Sequence, residues 1–147
     1  MMWLSFLAAL AAGAANPFQS GTNAGLNRQL GQPLWAGLIV YVSGVLGLLL
    51  MLAFVRQPLP TMAHIAAVKP WAWLGGLISI GSTLAGLVLA QRLGSANFTG
   101  LTLTASLVTS VVLDQMGWIG FRQHAASPGR LIGCGLMVVG VWMISRY

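Results

Sequence analysis

The sequence predicts an all-α integral membrane protein of five transmembrane helices, and three observations carry that prediction. Of the 147 residues, 57% are hydrophobic and 5% charged, where a soluble domain needs about a quarter of its residues charged. The chain holds seven Lys and Arg, one Asp and no Glu, too few to cover a globule in water. Its apolar stretches mostly run close to the roughly 20 residues that a bilayer core of about 30 Å requires. Backbone groups facing lipid must be satisfied within their own segment, so these stretches are helices and not open strands.

The first helix begins at Trp3. Its clean apolar part, Trp3 to Ala15, reaches about 20 Å at about 1.5 Å per residue, too short to span. Either Asn16, Gln19 and Asn23 enter the membrane with it, or the segment is a cleaved signal peptide. The run Ala11 to Ala15 has the small residues of a cleavage region. No Lys or Arg precedes the apolar core, however, so a retained helix reaching about Leu26 is expected. The second helix runs from about Leu34 to Val55, between Pro33 and the stretch Arg56–Pro60. The third spans about Trp71 to Gln91, the fourth about Ala96 to Gly120, and the fifth about Arg130 to Arg146. The connections are short, which makes residues 1–147 a single transmembrane domain. The longest, Arg56 to Pro70, has room for a short interfacial piece.

Glycine placement is orderly. Gly75, Ser79, Ser82, Thr83 and Gly86 share one side of the third helix, while Gly37 and Gly44, like Gly133 and Gly140, lie a heptad apart. Such stripes let helix backbones approach closely within lipid, where the hydrophobic effect draws no helices together. Trp71, Trp73, Trp118 and Trp142 lie near segment ends, as interfacial anchors do. The net charge of +6 is spread singly between apolar stretches; with no basic run or patch, nucleic acid is not an expected partner. Cys134 is the single cysteine, and no spacing suited to a metal or cofactor occurs. Cys134 reads as a small packing residue. No nucleophile–base pair or phosphate-cradling motif is present, so an enzyme is not expected.

Polar side chains inside a membrane are costly unless they face partners or water. Asn16, Gln19, Ser20 and Asn23 fall within about 100° of one another on the first helix. Pro17 among them lacks a donor and leaves the Gly13 carbonyl without its helical partner. Amides beside a disrupted helix point to substrate binding; the competing reading is interhelical glue. Thr99, Thr102, Ser106, Thr109, Ser110 and Asp114 share one side of the fourth helix, with Asn97 and Thr104 off it. That stripe either lines a pathway or packs, since hydroxyls can bond their own helix. Asp114 is the only carboxylate. It is expected to pair with a basic residue such as Arg122 or to anchor the helix end, the sharper alternative being a proton or cation coupling site. His64 and His124 fall in loops.

Several stretches carry a resemblance. Phe18 to Leu50 (FQSGTNAGLNRQLGQPLWAGLIVYVSGVLGLLL), with Gln19, Asn23, Leu26 and Gly44, resembles the opening of the short YdcZ-like family of the drug/metabolite transporter superfamily. PWAWLGG at Pro70–Gly76 looks like that family's start of the third helix. LGSANFTGLTLTASLVTSVVLDQMGWIGF at Leu93–Phe121, including Asp114 and Gly117, resembles its fourth, and RLIGCGLMVVGVWMI at Arg130–Ile144 the closing helix. The resemblance implies a five-helix half-transporter unit in a bacterial inner membrane. The more distant small multidrug resistance proteins carry a Glu in the first helix; this chain has no acidic residue there, which leaves their proton-coupled cation exchange without its carboxylate.

Five helices would place Arg56, Lys69, Arg122 and Arg130 on one face and Arg28, Arg92 and Arg146 on the other. Orientation follows such imbalances, and four against three is nearly balanced. Two consequences compete: a single orientation with the N-terminus cytoplasmic, decided by one charge, or insertion both ways and assembly as an antiparallel homodimer, recreating the inverted repeat of a ten-helix transporter with its site at the midplane. The antiparallel dimer is the preferred expectation, since five helices hardly enclose a pathway. The expected function is movement of a small polar or amphiphilic metabolite by alternating access. The rival is a non-transporting scaffold or accessory subunit whose polar stripes are glue.

Overall fold

The computed structural model describes residues 2–120 and 123–147 and contains six α-helices and no strand among them. Helix α1 covers Met2–Leu30, α2 Pro33–Val55, α3 Met62–Ala66, α4 Leu74–Leu93, α5 Ser95–Met116 and α6 Pro128–Arg146. Four stretches are long and apolar enough to cross a membrane: Pro33–Val55, Pro70–Leu93, Ser95–Met116 and Pro128–Arg146. Helix α1 has 29 residues, about 43 Å at about 1.5 Å per residue, but its polar second half keeps it out of that set. It runs unbroken through Pro17. The missing proline donor removes one rung without ending the helix, which continues past it to Leu30.

Helix ends follow local chemistry. Gly31, at φ 67, closes α1 by donating its N–H to the Asn27 carbonyl at 2.8 Å. This left-handed turn favours glycine. Pro33 then starts α2 at a position where its missing donor costs nothing. Gly117 (φ 62) ends α5 at Met116, earlier than the Gly120 expected from apolarity alone. Trp118–Gly120 forms a separate 3-10 turn. Within the Arg56–Pro70 connection, Thr61 caps the short α3 by accepting from the His64 N–H at 3.4 Å. Ser127 likewise caps α6, accepting from the Arg130 N–H.

The chain divides into two compact units, residues 18–91 and residues 1–17 with 92–147. In the first unit, Ala24, Ala36, Gly37, Leu87 and Ala90 are buried. A Cβ added to Gly37 would meet Leu84 Cδ2 at 3.2 Å, so glycine here permits the close approach of α2 and α4. Polar ties supplement this packing. The Tyr41 hydroxyl bonds Ser79 Oγ at 2.8 Å and Thr83 Oγ1 at 2.9 Å. Asn27 Nδ2 donates to the Leu87 carbonyl at 2.9 Å, and Gln91 Nε2 returns a bond to the Ala24 carbonyl at 2.7 Å. In the second unit α5 packs on α6, and Phe98, Thr104 and Val141 are buried. A Cβ on Gly100 would meet Val141 Cγ2 at 3.1 Å.

The expected glycine stripes are thus used selectively. At Gly44, Gly75, Gly133 and Gly140 an added Cβ would meet nothing within 4 Å, so these do not mediate close approach within one chain. The tryptophans occupy the expected kinds of position: Trp71 and Trp73 in a 3-10 turn before α4, and Trp118 just after α5. Trp142 lies under the Arg146 guanidinium at 5.5 Å, in cation–π range.

Tyr41→Phe removes both hydroxyl bonds between α2 and α4 and keeps the ring. Interhelical bonds in membranes are worth about 0.6 kcal/mol on average and up to about 1.7. The variant should lose about 1 kcal/mol in unfolding titrations from mild to denaturing detergent, with helix content unchanged by circular dichroism.

Candidate functional site

The four first-helix residues do not share the ties that hold the first unit. Asn16 and Gln19 are exposed, Ser20 and Asn23 half-buried. None of their side chains hydrogen-bonds to another described residue; the only local side-chain bonds are those of Thr22 to the Phe18 and Gln19 carbonyls. The amides that bridge helices are Asn27 and Gln91. Asn27 lies one turn beyond Asn23 on the same stripe, so following the stripe a turn further would have found it. Gln91 lies at the end of an apolar run, where the sequence gives no sign of a partner on another helix. Tyr41 carried a visible signal, a phenol in mid-span whose hydroxyl needs a partner once buried.

The α5 stripe divides into three kinds of position. Thr102 Oγ1 bonds its own helix, at the Phe98 and Thr99 carbonyls (2.9 and 3.0 Å), and Asn97 Nδ2 bonds the Leu93 carbonyl at 3.1 Å. Ser106, Thr109 and Ser110 are exposed. Thr99 Oγ1 and Thr104 Oγ1 are buried without a partner among the described residues. Two grooves flank the contact between α5 and α6. One, of about 560 Å³, is mainly apolar and includes Thr104, Thr109 and Trp142 in its walls. The other, of about 470 Å³, is lined by Ser110, Asp114, Arg130 and Cys134 among others. Thr109 and Ser110, adjacent in sequence, therefore open into different grooves.

Asp114 Oδ2 accepts from an Arg130 terminal guanidinium nitrogen at 3.2 Å, with side chains 23% and 42% exposed respectively. The basic partner in the structure is Arg130; Arg122, expected from the sequence, lies outside the described residues. Residues 123–126 fold back over the end of α5. The Asp114 carbonyl accepts from the His124 N–H at 2.9 Å, and the Gln115 carbonyl from Gln123 Nε2 at 3.1 Å. Gln115 Oε1 in turn accepts from the Ala126 N–H at 2.6 Å. These bonds satisfy carbonyls that a helix end otherwise leaves open. His64 sits in α3, its ring 3.1 Å from the Thr61 hydroxyl. No group of three or more His, Cys, Asp or Glu suited to a metal occurs among the described residues.

A family model described as "Putative inner membrane exporter, YdcZ" matches residues 4–143. No curated protein and no solved structure matches the chain.

The division between tied and untied amides has a measurable consequence. Asn27→Leu and Gln91→Leu should each lower stability by about 1 kcal/mol, the scale of an interhelical bond. Gln19→Ala and Asn23→Ala should leave the same unfolding midpoint within error. Equal losses in all four variants would mean that Gln19 and Asn23 also hold helices together.

Proposed function

The chain belongs to the YdcZ family of inner membrane exporters, and on that premise we propose that it carries a small polar or amphiphilic metabolite by alternating access as an antiparallel homodimer. The observation that carries this reading is the set of untied amides on α1. Hydrocarbon penalises an unpaired amide, and elsewhere the chain ties Asn27 and Gln91 across helices. Asn16, Gln19, Ser20 and Asn23 retain their full hydrogen-bonding capacity for a solute, and α1 enters the membrane as a fifth span.

Ser106, Thr109 and Ser110, exposed on α5, line the path in this reading. Without an embedded acid on α1, the site suits a neutral, zwitterionic or anionic solute better than a strongly cationic one. Near-balanced basic residues favour insertion both ways, and five helices facing five inverted ones supply the midplane site of an inverted repeat. The open space at Gly44 suits close approach by a second copy. The non-transporting scaffold draws its support from Tyr41, Asn27 and Gln91, which show that polar side chains in this chain can serve as glue.

Two experiments separate these readings. A thermal-shift screen of purified protein against a metabolite library should find a stabilising solute, and Gln19→Ala and Asn23→Ala should abolish its effect while expression and assembly stay normal. If both variants respond like the parent, the amides do not bind solute. Orientation is tested by adding two Lys to the Arg56–Pro70 connection, or two near Arg28 and Arg92, to lock opposite topologies. Each locked form should be inactive alone and co-expression should restore transport; a single active locked form would overturn the antiparallel dimer.

A further inference from the structure

We propose that the groove around Asp114 and Arg130 is a binding site for a zwitterionic amphiphile, an ammonium and a phosphate joined to an apolar tail, separate from the amides of α1. Electrostatics leads to this assignment. Asp114 lies in the last turn of α5 and Arg130 in the first turn of α6. A helix favours cations at its C-terminus and anions at its N-terminus, so each charge sits at the unfavourable end of its own helix. A pair serving helix stability alone would be placed the other way round.

The same placement sets two opposite poles side by side. Arg130 at the α6 N-terminus attracts an anion; Asp114 attracts a cation through its carboxylate, the Asp114 and Gln115 carbonyls beside it being already bonded to His124 and Gln123. The ion pair leaves both poles underused. One bond at 3.2 Å links them, where charge-assisted contacts commonly reach about 2.7–2.9 Å. Arg130 offers five donors and Asp114 two acceptor oxygens, and no other described residue bonds either side chain. The groove they border continues along Leu107, Val111 and Met137, an apolar run fitted to an acyl chain. Ligand ammonium on Asp114 and ligand phosphate on Arg130 would replace one long bond with two oriented ones. A lipid headgroup and a soluble ethanolamine phosphate share this chemistry.

Cys134 borders the groove and is the only cysteine, so its reaction with N-ethylmaleimide reports occupancy. Purified full-length protein in maltoside detergent is labelled with lysophosphatidylethanolamine, phosphoethanolamine or lysophosphatidylglycerol present, and bound lysolipid is counted by native mass spectrometry. At about ten times its dissociation constant, a ligand leaves about a tenth of the sites free, and labelling should slow about tenfold. Protection by lysophosphatidylethanolamine alone identifies a lipid as occupant; protection by phosphoethanolamine as well identifies the headgroup as sufficient. Asp114→Asn and Arg130→Gln should each lose protection. Gly133→Leu guards against misfolding as an explanation: a Cβ there meets nothing within 4 Å, so the larger side chain fills the groove while leaving the ion pair. That variant should keep the parent's unfolding midpoint and lose the bound lysolipid by mass. Equal protection by the anionic lysophosphatidylglycerol, no protection by either zwitterion, or undiminished lysolipid on Gly133→Leu would each overturn the proposal.

Discussion

Helices dissolved in hydrocarbon gain nothing by hiding apolar surface from one another, because lipid chains are as apolar as leucine. Everything that fixes this fold must therefore come from close backbone approach, from caps and from polar side chains bonded across helices. The first unit shows all three. Gly37 lets Leu84 and Leu87 reach the α2 backbone, Gly31 turns the chain from α1 into α2, and Tyr41, Asn27 and Gln91 tie neighbouring helices. Large apolar side chains such as Leu46, Leu50 and Phe54 remain exposed on α2, as lipid-facing residues should.

The same constraint gives meaning to polar groups that are not tied. A buried amide in water-free surroundings either finds a partner in the protein or awaits one from outside. Asn27 and Asn23 are one helical turn apart on the same stripe, yet only Asn27 bonds a neighbouring helix. That contrast separates glue from a candidate solute site more sharply than polarity alone. The second unit extends the logic to charge: Asp114 and Arg130 pair, but from the ends of their helices where each dipole opposes them. Family membership makes the chain a multi-pass inner membrane protein of an exporter family.

Much of this was legible in the sequence because lipid imposes strong rules. Apolar length marked α2, α4, α5 and α6, and Pro33 and the Arg56–Pro60 stretch bounded α2 correctly. Hydropathy does not register that Gly117 takes a left-handed conformation, so apolarity alone carries α5 four residues too far, to Gly120. It also could not tell which glycines meet a neighbour: Gly37 does, while Gly44, Gly133 and Gly140 face open space. Pro17 lies inside α1 without ending it, since losing one donor leaves the other rungs in place. The pairing of Asp114 with Arg130 depends on how the 123–127 connection folds back over α5, which composition does not encode.

The central claim, that the untied amides of α1 face water and the tied ones do not, is tested most directly by solvent access. In a Cys134→Ser background, single cysteines at Gln19, Asn27 and Ser106 would be exposed in membranes to a water-soluble, membrane-impermeant thiol reagent from each side. The account predicts reaction at Gln19 and Ser106 and protection at Asn27. Silence at Gln19 and Ser106, or labelling at all three positions alike, would contradict it.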